Sequence, residues 1–320
     1  MKFSESDLNK FAAPLSNSED EQCKHAIEMV RDALKPLGYS DDGIAVSKLY
    51  PDTFAYRLEM RNSKSDRRVT ILLQGSYANN TNVRQESDVD IAVIQEEQFR
   101  PKYRSSQSGA DYGFVSAVKR PTSFKDEVQE CLEKKFGKDV ERKNKSIKIH
   151  GNTYRKDADT VPSLRYRDYT GDYYRDENNY VGGILIKADD GEEIINFPEQ
   201  HIKNGREKNI ATNHHYKEAV RIFKTMKNMI ADQGDTYVGK VGSFQVESLL
   251  WNLPDDIFKL YGKISKGKMI ERIISYLIDH IDSFDQYTEA NGIKPLCKNE
   301  YDKNILELFS YKVDKFFEYI

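Results

Sequence analysis

The chain has 320 residues, more than one ordinary compact domain needs and fewer than three would. Charged residues make up 32% and apolar ones 38%, yet 15 Phe and 20 Tyr supply ample core material, which excludes a disordered chain. With 49 Lys and Arg against 52 Asp and Glu the net charge is −3, so no global field draws the protein to nucleic acid or to an acidic membrane.

The three cysteines, Cys23, Cys131 and Cys297, are far apart and lack paired spacing, which predicts neither a disulfide framework nor a zinc knuckle. A reducing, cytoplasmic setting is expected. The polar opening lacks the apolar stretch of a signal peptide, and no run of about 18 apolar residues offers a membrane span.

In chain order, the stretch from Ser16 to Ser40 predicts a helix, with acidic residues leading, Ile27, Val30 and Ala33 or Leu34 at helical spacing, and Pro36 and Gly38 as stops. The short run Val69 to Leu73 predicts a strand buried on both faces. A second strand follows in Ser87 to Ile94, with Asp88 and Asp90 on one face and Val89, Ile91 and Val93 on the other. Residues 99–121, rich in Ser, Gly and basic side chains without a sustained period, read as a mobile connection. A helix with Val128, Leu132 and Phe136 on one stripe comes next, then strands at 146–151 and around 153–162, then a hairpin turned by Asp189-Asp190-Gly191. From His214 onward the pattern is almost wholly helical. Ala219, Phe223, Met226 and Ile230 mark one core face, and further helices are expected near 243–251, 266–281 and 302–319.

Chemistry is concentrated where Gln74-Gly75-Ser76 ends one strand and Asp88-Val89-Asp90 opens the next. Two carboxylates at i and i+2 on a strand project from the same face, the arrangement that holds divalent cations. A Gly-Ser turn leading toward a helix lets backbone amides and a hydroxyl approach phosphate oxygens. Either feature alone is common on solvated faces. Both aspartates, however, sit in an otherwise apolar strand, where unliganded carboxylates would cost several kcal/mol in desolvation and repulsion.

Gly75-Ser76, the twelve positions from Ser76 to Asp88, and the Asp-x-Asp strand resemble the signature of the DNA polymerase β-like nucleotidyltransferases. That superfamily uses a third carboxylate on a neighbouring strand. Asp157 and Asp159 both qualify by face, and Asp159, followed by Thr160-Val161-Pro162, resembles the third ligand of the bacterial cGAS/DncV-like enzymes. The segments Ile194 to Pro198 with His201, Arg221 to Lys224, and Gly242 to Leu250 are similar to the helical second domain of the same family. The resemblance implies an α+β fold with a nucleotidyltransferase core at 1–205, its mixed sheet flanked by helices, packed on an α-helical nucleotide-binding domain at 206–320.

The same resemblance implies a function. Asp88, Asp90 and Asp159 would bind two Mg²⁺ or Mn²⁺ ions, and Gly75 and Ser76 would grip the donor triphosphate with Gln74 near the acceptor. Lys224, placed on a stripe with Lys217 and Arg221 opposite the core face, and Ser243 would clamp the phosphates from the helical domain. The expected activity is synthesis of a cyclic di- or trinucleotide messenger from nucleoside triphosphates in antiphage signalling, with a downstream effector as partner. A transferase acting on an RNA end and an inactive nucleotide-binding protein are the alternatives. The Tyr-rich segment 166–180, with Tyr166, Tyr169, Tyr173 and Tyr174, offers rings for base stacking. Residues 134–150 carry seven basic side chains against two acidic ones, a local +5 that reads chiefly as a solvated face, with a nucleic-acid activator as the alternative.

Overall fold

The computed structural model describes residues 1–14, 16–83, 88–118, 120–152 and 155–320. Its elements begin β1 (Lys2–Phe3), α1 (Glu5–Ala12), α2 (Asn17–Leu34), β2 (Tyr39–Ser40), β3 (Ser47–Lys48), β4 (Tyr56–Asn62), β5 (Arg68–Leu73), α3 (Gly75–Ala78), β6 (Val89–Lys102) and α4 (Phe124–Phe136). There follow β7 (Val140–Arg142), β8 (Ile147–Ile149), β9 (Ala158–Asp168), β10 (Val181–Lys187), β11 (Glu193–Asn196), α5 (Pro198–Ala211) and α6 (His215–Asp232). The chain closes with α7 (Thr236–Gly239), α8 (Ser243–Trp251), α9 (Asp255–Gly262), α10 (Lys266–Asp279), α11 (Glu300–Phe316) and β12 (Glu318–Tyr319). Two compact units result: a sheet unit of Ser16–Ala78 and Glu86–Glu199, and a helical unit of Met1–Leu15, Asn79–Gln85 and Gln200–Ile320.

The sheet unit is built on ten strands in the order β11-β10-β9-β6-β5-β4-β2, with β3 on β4 and with β8, carrying β7, on β9. All pairings are antiparallel except β6 with β9, so the sheet is mixed and its parallel pair is central. Helix α2 starts where predicted, because the Ser16 hydroxyl accepts the Glu19 N–H at 3.3 Å while the Glu19 carboxylate accepts the Ser16 N–H at 3.0 Å. It stops at a 3-10 turn containing Pro36 and at Gly38, which has φ +90°. Its buried Cys23, Ile27, Val30 and Leu34 face β4 and β5, and α2 also packs on α4, which covers β7, β8 and β9. The hairpin β10–β11 forms with Gly191 in the left-handed region at φ +91°.

The stretch 99–121 differs from expectation. Strand β6 continues to Lys102, and a 3-10 turn at Gly109–Tyr112 places Tyr112 against Tyr169 with ring centroids 4.6 Å apart. Phe99, Tyr103, Phe114 and Tyr180 join the same aromatic cluster. Its members come from three separate stretches of chain, so no local period announces it.

In the helical unit the termini pair as parallel strands β1 and β12. Phe3, Leu8, Phe223, Met226, Leu249, Leu250, Phe258, Ile273 and Phe309 share one core. Helix α5 precedes the expected helical start, and its charged sequence explains why its period is weak. The predicted core face of α6 is buried as expected. Contrary to the reading of a stripe opposite the core, Lys217, Arg221 and Lys224 are buried too, Arg221 donating to the Ala12 and Asn80 carbonyls and Lys224 to that of Thr81.

Candidate active site

Strand β5 ends at Leu73, whose Cα partner is Ile91, and the Gln74 N–H still donates to the Asp90 carbonyl at 2.9 Å. The chain then turns through Gly75, at φ +69°, into the short helix α3. A Cβ on Gly75 would overlap the Asp90 carboxylate oxygen Oδ2. The turn and Asp90 are therefore one packed unit, with Ser76 half-buried in the same turn.

Strand β9 supplies the third carboxylate by register. Asp90 is the parallel Cα partner of Asp159, and Val89 that of Ala158. On the other side of β9, Lys148 of β8 is the antiparallel partner of Asp159. Asp157 lies one pleat outward, where its carboxylate accepts from the Gly151 N–H. The Lys148 ammonium bridges Asp157 Oδ2 at 2.8 Å and Asp88 Oδ2 at 2.9 Å. Sequence reasoning missed Lys148. The alternation Ile147-Lys148-Ile149, two buried side chains flanking one half-buried lysine, was the available signal.

The electrostatics follow from this crowding. Burial first, and then the charges of Asp159 and Asp88, push the Asp90 carboxyl up to about 7. Asp159 is raised as well, by burial and by Asp88, against the opposing pull of Lys148 and of the Ser146 hydroxyl at 3.4 Å. Asp157 is held below the usual range by Lys148, with a further contribution from the Gly151 amide. Lys148 is thus the cation paired with Asp88 and Asp157, while burial and neighbouring carboxylates raise Asp90 and Asp159.

As the side chains stand, no group of three His, Cys, Asp or Glu among the described residues converges tightly enough to ligate an ion. Asp88 is drawn toward Lys148 instead. The donor set nonetheless fits a hard divalent cation: it is all oxygen, and two of its carboxyls are raised by burial and by neighbouring carboxylates.

Lys224 and Ser243 belong to the helical unit. Ser243 is exposed at the head of α8. Lys224 is only 2% exposed, and its ammonium lies 2.8 Å from Glu247 Oε2 and 3.0 Å from the Thr81 hydroxyl. Of the tyrosines expected to stack on bases, Tyr166 and Tyr169 are core residues, and Tyr173 and Tyr174 are exposed. The basic run 134–150 is largely neutralised: Lys134 pairs with Glu130, Lys135 with Asp32, Arg142 with Asp126 and Asp189, Lys143 with Glu141, and Lys145 with Glu192. No helix among the described residues is long and apolar enough to cross a membrane.

Comparison with known proteins adds to this geometry. Residues 203–318 match the family described as the cGAS/DncV-like nucleotidyltransferase C-terminal helical domain. The cyclic GMP-AMP synthase CdnE03 of Staphylococcus schleiferi is 44% identical over 320 residues, covering 100% of this chain and 98% of that protein. The solved structure of the Elizabethkingia meningoseptica CdnE cyclic dinucleotide synthase with GTP and Apcpp is 30% identical, covers 98% of both chains and superposes with a TM-score of 0.71. The Rhodothermus marinus CdnE c-UMP-AMP synthase shares the fold at 24% identity, with a TM-score of 0.75 over 97% of this chain and 96% of that one.

Proposed function

The chain belongs to the cGAS/DncV-like nucleotidyltransferases, and we propose that it joins nucleoside triphosphates into a cyclic di- or trinucleotide. The observation that carries this reading is the register pair Asp90–Asp159 packed against the Gly75 turn, which gathers carboxylates beside a turn suited to phosphate. Gly75 and Ser76 present backbone and hydroxyl donors to the triphosphate, with Gln74 touching the acceptor nucleotide. Asp88, Asp90 and Asp159 hold Mg²⁺ or Mn²⁺, two ions in all, which when bound lower the pKa of the attacking ribose hydroxyl and neutralise charge on the leaving pyrophosphate.

Asp159 takes the proton from the ribose hydroxyl. The ribose oxygen then forms a bond to the α-phosphorus as the bond to pyrophosphate breaks, an in-line exchange that needs positioning more than covalent help. A second transfer in the reverse orientation closes a ring of two nucleotides; a three-membered ring takes one more.

Purified protein incubated with ATP, GTP, CTP and UTP, singly and mixed, with Mg²⁺ or Mn²⁺, should yield a phosphatase-resistant cyclic product identified by mass. The Asp88→Asn and Asp90→Asn double variant should yield none. Label appearing only on added RNA would instead establish transfer to an RNA end.

A further inference from the structure

The segment that leaves the Gly-Ser turn is held by charged side chains from three helices of the helical unit. Asn79, Asn80 and Thr81 follow α3 directly in the chain. The amide of the fully buried Asn79 lies 3.3 Å from His201 Nδ1 of α5, and Arg221 of α6 donates to the Asn80 carbonyl at 2.6 Å. Lys224 donates to the Thr81 carbonyl at 3.2 Å and to its hydroxyl at 3.0 Å. The Thr81 hydroxyl in turn donates to Glu247 Oε2 at 2.8 Å.

Glu247 of α8 is the hub. One of its carboxylate oxygens takes Lys224 and Thr81, and the other lies 2.8 Å from His201 Nε2. It is 1% exposed, and Lys224 and His201 hold its carboxyl far down against the opposing effect of complete burial. A buried carboxylate and ammonium are costly unless well paired, and such a pair is weak evidence for stability as such. Its value here is specification. Three protein acceptors surround the Lys224 ammonium, and two of them belong to Thr81.

We propose that Glu247 and Lys224 are positioning residues: they clasp Asn79–Thr81, the segment that follows the Gly75–Ser76 turn in the chain, and thereby fix the exit of that turn. This rests on the nucleotidyl-transfer reading for its kinetic consequence, but the clasp itself is testable without turnover. Within α3 itself the Tyr77 hydroxyl accepts from Lys156 at 2.8 Å.

The test uses Thr81→Val, which keeps side-chain shape and removes the hydroxyl, with Thr81→Ser as the conservative counterpart. Lys224→Met and the Thr81→Val/Lys224→Met pair complete the set. Hydrogen exchange should show the amides of 75–83 losing protection by about tenfold or more in Thr81→Val and keeping it in Thr81→Ser, with no broad loss elsewhere. In pyrophosphate release, Thr81→Val should raise the KM for nucleotide about tenfold, Thr81→Ser should restore it, and the double variant should be no worse than Lys224→Met alone. Unchanged protection at 75–78 in Thr81→Val overturns the proposal whether or not the protein turns over. Effects of Thr81→Val and Lys224→Met that multiply also overturn it, since Lys224 would then act independently of Thr81. If Lys224→Met does not fold, the Thr81 pair decides. A wild-type protein that makes no product removes the nucleotidyl-transfer reading and leaves the exchange result standing.

Discussion

Gly75 and Asp90 occupy each other's space: the position where a side chain on Gly75 would begin is filled by the Asp90 carboxylate, whose Cγ lies 3.0 Å from it. Gly75 also sits at φ +69°, a region that costs other residues roughly 1–2 kcal/mol. The glycine is thus required twice, once by the backbone and once by the Asp90 carboxylate. Gly75→Ala is expected to lower stability by about 1–3 kcal/mol, since the turn or Asp90 must shift. Nucleotidyl transfer should fall at least 100-fold, because a displacement on the order of 1 Å at such a site has that effect. Denaturant melts and product formation on the same preparation check both numbers.

Asp90 makes the metal-free protein sensitive to pH. Its carboxyl, raised to about 7 by burial and by Asp159 and Asp88, holds its proton in the folded state where the unfolded chain has released it. The folded state therefore binds more protons over this range, and the stability associated with Asp90 is fully present below about pH 4 and lost as pH rises toward 7. Asp90→Asn removes this penalty. In EDTA, the variant should gain stability relative to wild type between about pH 4 and 7, by a few kcal/mol, and hold that gain above pH 7. Mg²⁺ should reverse the order in wild type, binding more tightly as pH rises through 7. A difference between the two proteins that does not vary with pH in EDTA would contradict the assignment.

Gly75-Ser76, Asp88 and Asp90 stand out in the sequence because each announces itself within a few residues, a turn after an apolar run and aspartates alternating with Val and Ile, whereas Asp159 is set apart from Asp157 only by resemblance to the family. What the sequence could not show depends on partners brought from afar. Lys148 becomes the cation on Asp88 only through the β8–β9 register. Lys224 has the spacing of a surface lysine on α6, and only the packing of Thr81 and Glu247 against it puts it inside. Tyr169 sits in a Tyr-rich stretch that suggested base stacking, and its ring is committed to Tyr112, 57 positions earlier in the chain.

Arg165 is the structural tie of the sheet unit. Only 4% exposed, it donates to both oxygens of Glu96, at 2.6 and 2.9 Å, and to Glu199 at 3.1 Å. Although burial opposes it, Arg165 holds the Glu96 carboxyl below its usual range. Arg165→Met would leave Glu96 without its two-pronged cation, while Glu199 keeps Arg57 at 3.3 Å, at a cost of about 3–5 kcal/mol. Urea melts should show that loss at pH 8 and a smaller one near pH 5, where Glu96 can take up a proton.

The tyrosines of 166–180 separate by burial, and their substitutions should separate in the same way. Tyr169 is fully buried, its ring lies against Tyr112, Phe114, Tyr103 and Tyr180, and its hydroxyl donates to the Glu177 carbonyl at 2.9 Å. Tyr169→Ala should therefore cost about 3–5 kcal/mol, the usual range for emptying an aromatic core position. Tyr174 is 88% exposed, and Tyr173, 71% exposed, lies over the Arg104 guanidinium at 3.6 Å. Alanine at either should change stability by no more than about 1 kcal/mol, the scale of an exposed cation–π contact. If either exposed ring stacks on a nucleotide base, its removal should raise the KM for one nucleoside triphosphate and not the others, by about 5- to 150-fold for a stacking interaction of 1–3 kcal/mol. KM values for all four nucleotides in Tyr173→Ala and Tyr174→Ala decide whether this segment takes part in base choice, because a loop that merely packs on its own stem would leave every one of them unchanged.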